Sequence, residues 1–361
     1  TLDNRWLEAI GMEFGLQFFP DVAPEEKAGR DYFDEALRLV DLCDTHGYSH
    51  VRIVEHYFHQ WGGYSPNPLI FLTAASQRTR KARLVPGALL PVFNHPLKLA
   101  GEIGMLDAIS NGRLDVGFAR AFVPHEYERF AVSLDESVAR FDEGVDQIAR
   151  LLEEENVTAE GQFHSFKNVT SLPRPTQKPR PMFWTAATTT PGSFEKAGKM
   201  GNGLMAIPAV GAERMPELCG LYREAWKSAG HEGEGRIMMA LYMCCHEDHE
   251  EAIRIASGPL TRHMQSAADS AGAWTEGVVS ADYNNYDKLV AGLAMQTFET
   301  QFEKKAIFVG TPDEIIEQIH EFDKLVGGFD VASLDVNFNS MAFEDADRSA
   351  RLFGEAVIPQ F

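Results

Sequence analysis

Two short segments of this 361-residue chain place reactive side chains directly after an apolar run. The run SHVRIVE at 49–55 is followed at once by His56. Its imidazole titrates near neutral pH and can take a proton from, or give one to, a reacting oxygen. The same position suits a hydrogen-bonded structural histidine, and the residues alone leave both open. Glu55 faces the other side of an extended run, so it is expected to pair with a neighbouring element rather than with a substrate. Farther along, PMFWTA at 181–186 leads into Ala186-Ala187-Thr188-Thr189-Thr190-Pro191. A helix that opens with Pro191 loses nothing from the missing N–H, and its free amides together with the threonine hydroxyls make an anion site. Ordinary capping would need only one hydroxyl. Arg120, which follows RLDVGFA at 113–119, offers a guanidinium that can grip a phosphate at two oxygens. Together these features indicate a phosphorylated cofactor.

Aromatic residues crowd the same run ends. Part of the set must be core, and Phe19, Tyr57, Trp61, Phe93, Phe122 and Trp184 are the candidates to line an apolar pocket for a flat ring and a hydrophobic substrate. A metal centre is not expected, because His125, His231, His246 and His249 show neither HExxH nor a tight zinc spacing. Cys43, Cys219, Cys244 and Cys245 form no CxxC and read as buried, reduced thiols.

The elements that must position these groups show a regular alternation. Short apolar runs near 13–19, 49–55, 82–90, 113–119, 181–186, 203–208, 236–245 and 329–338 are separated by amphipathic stretches of helical length. One such stretch is 31–46, stopped by Gly47, and another is 135–154. Repeated βα units predict an α/β fold, specifically a (β/α)₈ TIM barrel with insertions as a single domain over 1–361. A doubly wound open sheet would carry a Gly-rich phosphate turn after an early strand, and this chain has none. Two segments interrupt the rhythm: 157–180 reads as a hairpin and Pro-rich connector, and 258–305 reads as an insertion placed to act as a lid. In such a barrel the active site lies at the C-terminal strand ends, where His56, Arg120, the threonine turn, Asn337 and Asn339 all fall.

Composition narrows the function classes. The net charge of −20 and the lack of any long Lys/Arg run exclude nucleic acid and anionic membranes as expected partners. No stretch is apolar enough to span a bilayer, and TLDNRWLEAIG lacks the features of a signal peptide, so a cytoplasmic protein is expected.

The segments MEFGLQFFP, VEHYFHQWGGYSPNPLIFLTAAS, LVPGALLPVFNHPLKLAGEIGMLDAISNGRLDVGFARAF and TAATTTPGSFEKAGKMGNGL resemble the bacterial luciferase-like superfamily of flavin-dependent monooxygenases. The resemblance implies a two-component enzyme that receives FMNH₂ from a separate flavin reductase and reacts it with O₂. The resulting flavin C4a-peroxide would then oxygenate an apolar small molecule. It also implies a homodimer, with flavin phosphate on Arg120 and the Ala187–Thr190 turn, and with His56 as the active-site histidine. Ala88, in the stretch Pro86-Gly87-Ala88, falls where the family has a non-prolyl cis peptide beside the flavin. Pro86 and Gly87 depart from the usual pair, which leaves the isomer open. Ala119 stands where luciferase has a reactive cysteine and Tyr57 where it has a second histidine, so light emission is not implied. The VFNHP loop and the 258–305 insertion are where substrate choice is expected to be set. Two alternatives remain at this stage: a deazaflavin-dependent oxidoreductase of the same fold, and a non-catalytic flavin-binding subunit.

Overall fold

The computed structural model describes residues 11–208 and 212–361. The amino-terminal segment read above for a signal peptide lies outside them, apart from Gly11. Strands β1 (Glu13–Phe18), β2 (His50–Ile53), β3 (Arg83–Pro86), β4 (Val116–Phe118), β7 (Phe183–Ala187), β8 (Gly203–Ala206), β9 (Ile237–Cys245) and β11 (Val331–Asp335) correspond to the eight apolar runs. They lie in the order β3-β2-β1-β11-β9-β8-β7-β4 with parallel pairing throughout. Bridges Leu84–Leu114 and Leu89–Phe118 join the β3 side to the β4 side, so the sheet curls into a barrel. The strands are buried on both faces, which is why they read as continuous apolar runs rather than alternating ones. Strands β5 (Val157–Glu160) and β6 (Ser165–Val169) pair antiparallel outside the barrel. Strand β10 (Ile307–Gly310) joins β9: Tyr242 pairs with Asp335 on one side and Ile307 on the other, so β10 takes the edge that β8 leaves after Met239.

Helices α1 (Gly29–Val40), α2 (Cys43–His46), α3 (Pro68–Ala75), α4 (Pro96–Ile109), α5 (Pro124–Arg129) and α6 (Ser137–Glu153) accompany the first half of the barrel. Then come α7 (Pro191–Lys199), α8 (Met215–Ser228), α9 (His249–Ser270), α10 (Tyr286–Ala294), α11 (Phe298–Glu303), α12 (Pro312–Val326) and α13 (Phe343–Ala356). The segment expected to be inserted from residue 258 begins in mid-helix. Pro259 lies inside α9, which continues to Ser270. The added structure is therefore 271–303, holding α10 and α11.

Two levels inside the barrel set the floor of the site. The lower is apolar, with Val85, Trp184, Met205, Met238 and Val331 in one cluster. Gly203 permits it, since a Cβ there would come 2.4 Å from the Trp184 ring. The upper level is polar. Register places Arg52, Gln17, Asp335 and Tyr242 side by side on β2, β1, β11 and β9. Arg52 donates to the Gln17 side-chain oxygen and, at 2.9 Å, to the Gly87 carbonyl. Gly87 has no side chain to block that approach; a Cβ would stand 1.9 Å from Arg52 Nε. The Gly87–Ala88 bond, left open by the sequence, is cis.

Candidate active site

A cavity of about 520 Å³ occupies the C-terminal mouth of the barrel above the polar level. It has two chemically distinct ends. At one, β7 stops at Ala187 and Thr188, Thr189 and Thr190 lead into α7, with Pro191 in its first turn. The Thr190 side chain does not cap the helix, so no threonine hydroxyl competes for the first-turn amides. Gly192 leaves open space beside them. Arg120 and Lys196 both reach this cavity; Lys196 is paired with Asp142. Arg120 Nη1 donates to the Asp282 carbonyl at 2.9 Å and to Ser137 Oγ at 3.3 Å, and its guanidinium lies 4.5 Å from the Tyr283 ring centre. The segment 271–303 thus holds Arg120 in place. Uncapped amides and two cations are the donor set of a phosphate site.

At the other end, Phe19, Trp61 and Phe122 form an aromatic wall, with Phe19 and Trp61 centroids 4.6 Å apart and Trp61 and Phe122 5.9 Å apart. His56 lies against Trp61, with centroids 4.5 Å apart. Its Nδ1 is 3.1 Å from Glu126 Oε1, which also accepts the Tyr57 amide at 2.9 Å. Because a carboxylate only accepts, the shared proton sits on Nδ1, and Nε2 is the nitrogen left for a ligand. Glu126 is 1% exposed and its Oε2 has no protein partner among the described residues. Glu55 accepts from Tyr57 Oη at 2.5 Å, Asn94 Nδ2 at 3.0 Å and the Leu90 amide at 3.2 Å. It pairs with neighbouring elements as the strand parity predicts, and also borders the cavity. Burial pushes its carboxyl up to about 7.

Three of the aromatic candidates lie elsewhere. Tyr57 and Phe93 pack on Phe130, each with its ring centre 4.8 Å away. Tyr57 is held away from the cavity by its amide hydrogen bond to Glu126 and its hydroxyl hydrogen bond to Glu55. Trp184 does point into the barrel, but at the lower apolar level, 1% exposed, with Nε1 3.4 Å from Asp115. Ala88, Ala186 and Ala187 border the cavity with Arg120 and the threonines. His246 lies apart from it, held by the Asp248 amide and Arg348. Asp107 pins the Pro-rich connector through the Gln177 amide and side chain. Sequence reasoning missed Glu126, Lys196, Gln17, Arg52, Tyr242 and His263. For Arg52 a signal existed, an arginine inside an otherwise apolar run. No cluster of three or more His, Cys, Asp or Glu among the described residues suits a metal.

A parallel barrel with free helix amides and two cations at the end of one strand and a carboxylate-backed histidine after another is the arrangement of a barrel enzyme, with its polar groups gathered at the C-terminal mouth. Residues 12–327 match the luciferase-like monooxygenase family, and the chain belongs to it. It is 28% identical over 97% of its length to the oxygenase component of a flavin-dependent trigonelline monooxygenase from Acinetobacter baylyi, covering 96% of that protein. A solved monooxygenase, RslO1 from Streptomyces bottropensis, superimposes with a TM-score of 0.85 at 43% identity, covering 97% of this chain and 99% of that one. The oxygenating constituent of 3,6-diketocamphane monooxygenase from Pseudomonas putida, solved with FMN, shares the fold at a TM-score of 0.81 and 22% identity over 98% of this chain and 99% of that one. An F420-dependent glucose-6-phosphate dehydrogenase from Intrasporangium calvum is 25% identical over 93% of this chain and 96% of that protein. The chain is thus an enzyme of the flavin-dependent monooxygenases, in a family where some relatives use F420 instead.

Proposed function

We propose that this enzyme is the oxygenating component of a two-component system. It takes FMNH₂ from a separate reductase and transfers one oxygen atom of O₂ to an apolar small molecule. The carrying observation is a single cavity whose cationic end, at Arg120, Lys196 and the α7 amides, is joined to an aromatic end holding a carboxylate-backed imidazole. The residues present fit the cofactor: the uncapped amides suit its phosphate, and Arg52 and Gln17 offer a polar floor for a planar ring. Reduced flavin supplies the electrons that activate oxygen. Arg120, Lys196 and Thr188–Thr190 anchor the phosphate, while Phe19, Trp61 and Phe122 exclude water from the reacting end. His56 moves a proton at the substrate oxygen through Nε2, with Glu126 holding its ring. The trigonelline relative, described as an oxygenase component, supports a separate reductase. The four cysteines are free and buried, which favours a reducing, cytoplasmic setting.

Anaerobic titration with FMNH₂ and, separately, reduced F420 tests the cofactor. The expected result is tight binding of FMNH₂ alone, followed on oxygen addition by product from a screened apolar substrate. Selective binding of reduced F420 would replace this reading with hydride transfer.

A further inference from the structure

Diametrically across the ring from the threonine turn, beyond the end of β1, lies a buried polar group that the reading above does not use. His263, on α9, is 1% exposed and borders the cavity. Its Nδ1 is 3.0 Å from Asp21 Oδ2. Asp21, itself 1% exposed, also accepts from Ser266 Oγ at 2.6 Å and from Asn339 Nδ2 at 3.0 Å. A carboxylate met only by donors stays ionised, and these contacts hold Asp21 below its ordinary range against the opposing effect of burial. Asp21 therefore accepts a hydrogen bond from Nδ1–H, which fixes the proton on that nitrogen. With Nδ1 committed to Asp21, Nε2 is the ring nitrogen left for a ligand, and no hydrogen bond from the described residues reaches it. Because His263 borders the cavity, a ligand hydroxyl at this end is the natural partner for that nitrogen.

The surroundings restrict what that ligand is. Phe19 stands edge-on to His263 with centroids 5.0 Å apart, and Trp61 lies 6.5 Å away. Met264, Ala267, Leu289 and Leu293 add apolar surface at this end, and Tyr242, its ring centre 5.4 Å from that of His263, brings a hydroxyl from the polar level below. We propose that His263, oriented by Asp21, anchors a subsite for a flat aromatic alcohol. The ring packs against Phe19, Trp61 and Leu293, and the hydroxyl donates to His263 Nε2. This rests on the reading of the cavity as the site of an apolar substrate, and it adds that the substrate carries a phenol-type hydroxyl.

The test is calorimetric titration of the protein, in the presence of FMN, with 2-naphthol and with 2-methoxynaphthalene, its methyl ether, which has no proton to donate. The wild-type protein is expected to bind the alcohol about tenfold more tightly than the ether, the effect of one hydrogen bond to a buried acceptor. His263→Asn keeps an N–H for Asp21 and removes the cavity-facing nitrogen. It should bind the two probes equally, at about the wild-type affinity for the ether. Asp21→Asn should also shrink the preference, because the tautomer is no longer fixed. Equal binding of both probes by the wild-type protein, or a preference that survives in His263→Asn, overturns the subsite while leaving the apolar reading intact. Binding of neither probe removes both.

Discussion

Each imidazole at the aromatic end of the cavity has its own carboxylate, Glu126 for His56 and Asp21 for His263. A histidine so held presents one defined nitrogen to a ligand, which an unsupported ring does not. His56→Ala should leave flavin binding nearly intact, because the phosphate end is built from β7, α7 and Arg120. Product formation should fall by about 10² to 10⁴-fold, the usual contribution of a positioned acid or base, while released hydrogen peroxide rises. Measuring product, peroxide and bound flavin on one variant separates this from misfolding, which would lower all three. Glu126→Gln should reproduce the phenotype in weaker form, since it loosens the ring without removing it. Arg120→Ala should weaken FMNH₂ binding by roughly 1.5 to 3 kcal/mol, the scale of a charge-assisted hydrogen bond. An unchanged dissociation constant would take Arg120 out of the phosphate site.

Four adjacent strands bring Arg52, Gln17, Asp335 and Tyr242 to one level beneath the cavity, and this level has a pH signature. Asp335 is fully buried, and burial raises its pKa from 3.8 to about 7 against the lowering effects of His263, the Asn337 amide and Arg52. The folded state therefore holds a proton that the unfolded chain has released. Its stabilising effect is complete below pH 3.8 and is lost as pH rises to about 7. Asp335→Asn, close in shape and never charged, should match the wild type in stability at low pH and exceed it by on the order of 3 kcal/mol at pH 8. Denaturant melts at the two pH values check this; a difference independent of pH would mean that Asp335 is ionised throughout. The segment 271–303 also acts at this scale. Trp274 Nε1 donates to the Phe122 carbonyl at 2.7 Å and Tyr283 Oη to the Ala121 carbonyl at 2.9 Å, tying the segment to the loop that carries Arg120.

The whole barrel leaves one face apolar. Ile70 on α3 is 71% exposed, and Met105 and Ile109 on the neighbouring α4 are 56% and 40% exposed. Barrel helices that face water are ordinarily polar on that side, and covering such a face favours a symmetric dimer. Sedimentation at micromolar concentration should show a homodimer, and Ile70→Glu combined with Met105→Glu should yield a folded monomer. A wild-type protein that sediments as a monomer with full activity ends this reading.

The sequence by itself determined the architecture. The eight apolar runs are the eight barrel strands, because a strand buried on both faces is apolar along most of its length, and that pattern needs no knowledge of neighbours. It also located the threonine turn and His56, since both directly follow such a run. Which side chains become neighbours was settled only when the chain folded. Glu126 lies 70 residues from His56 and Asp21 lies 242 residues from His263, so neither pairing leaves a local trace. Depth was equally hidden. Trp184 and His56 both project into the barrel, but stagger between strands sets one in the apolar floor and the other at the mouth. The insertion is expected to begin at residue 258, whereas α9 runs on to Ser270 and so delivers His263 to the cavity. Period and turn chemistry are properties of neighbours along the chain; partnership and depth arise only when the barrel closes.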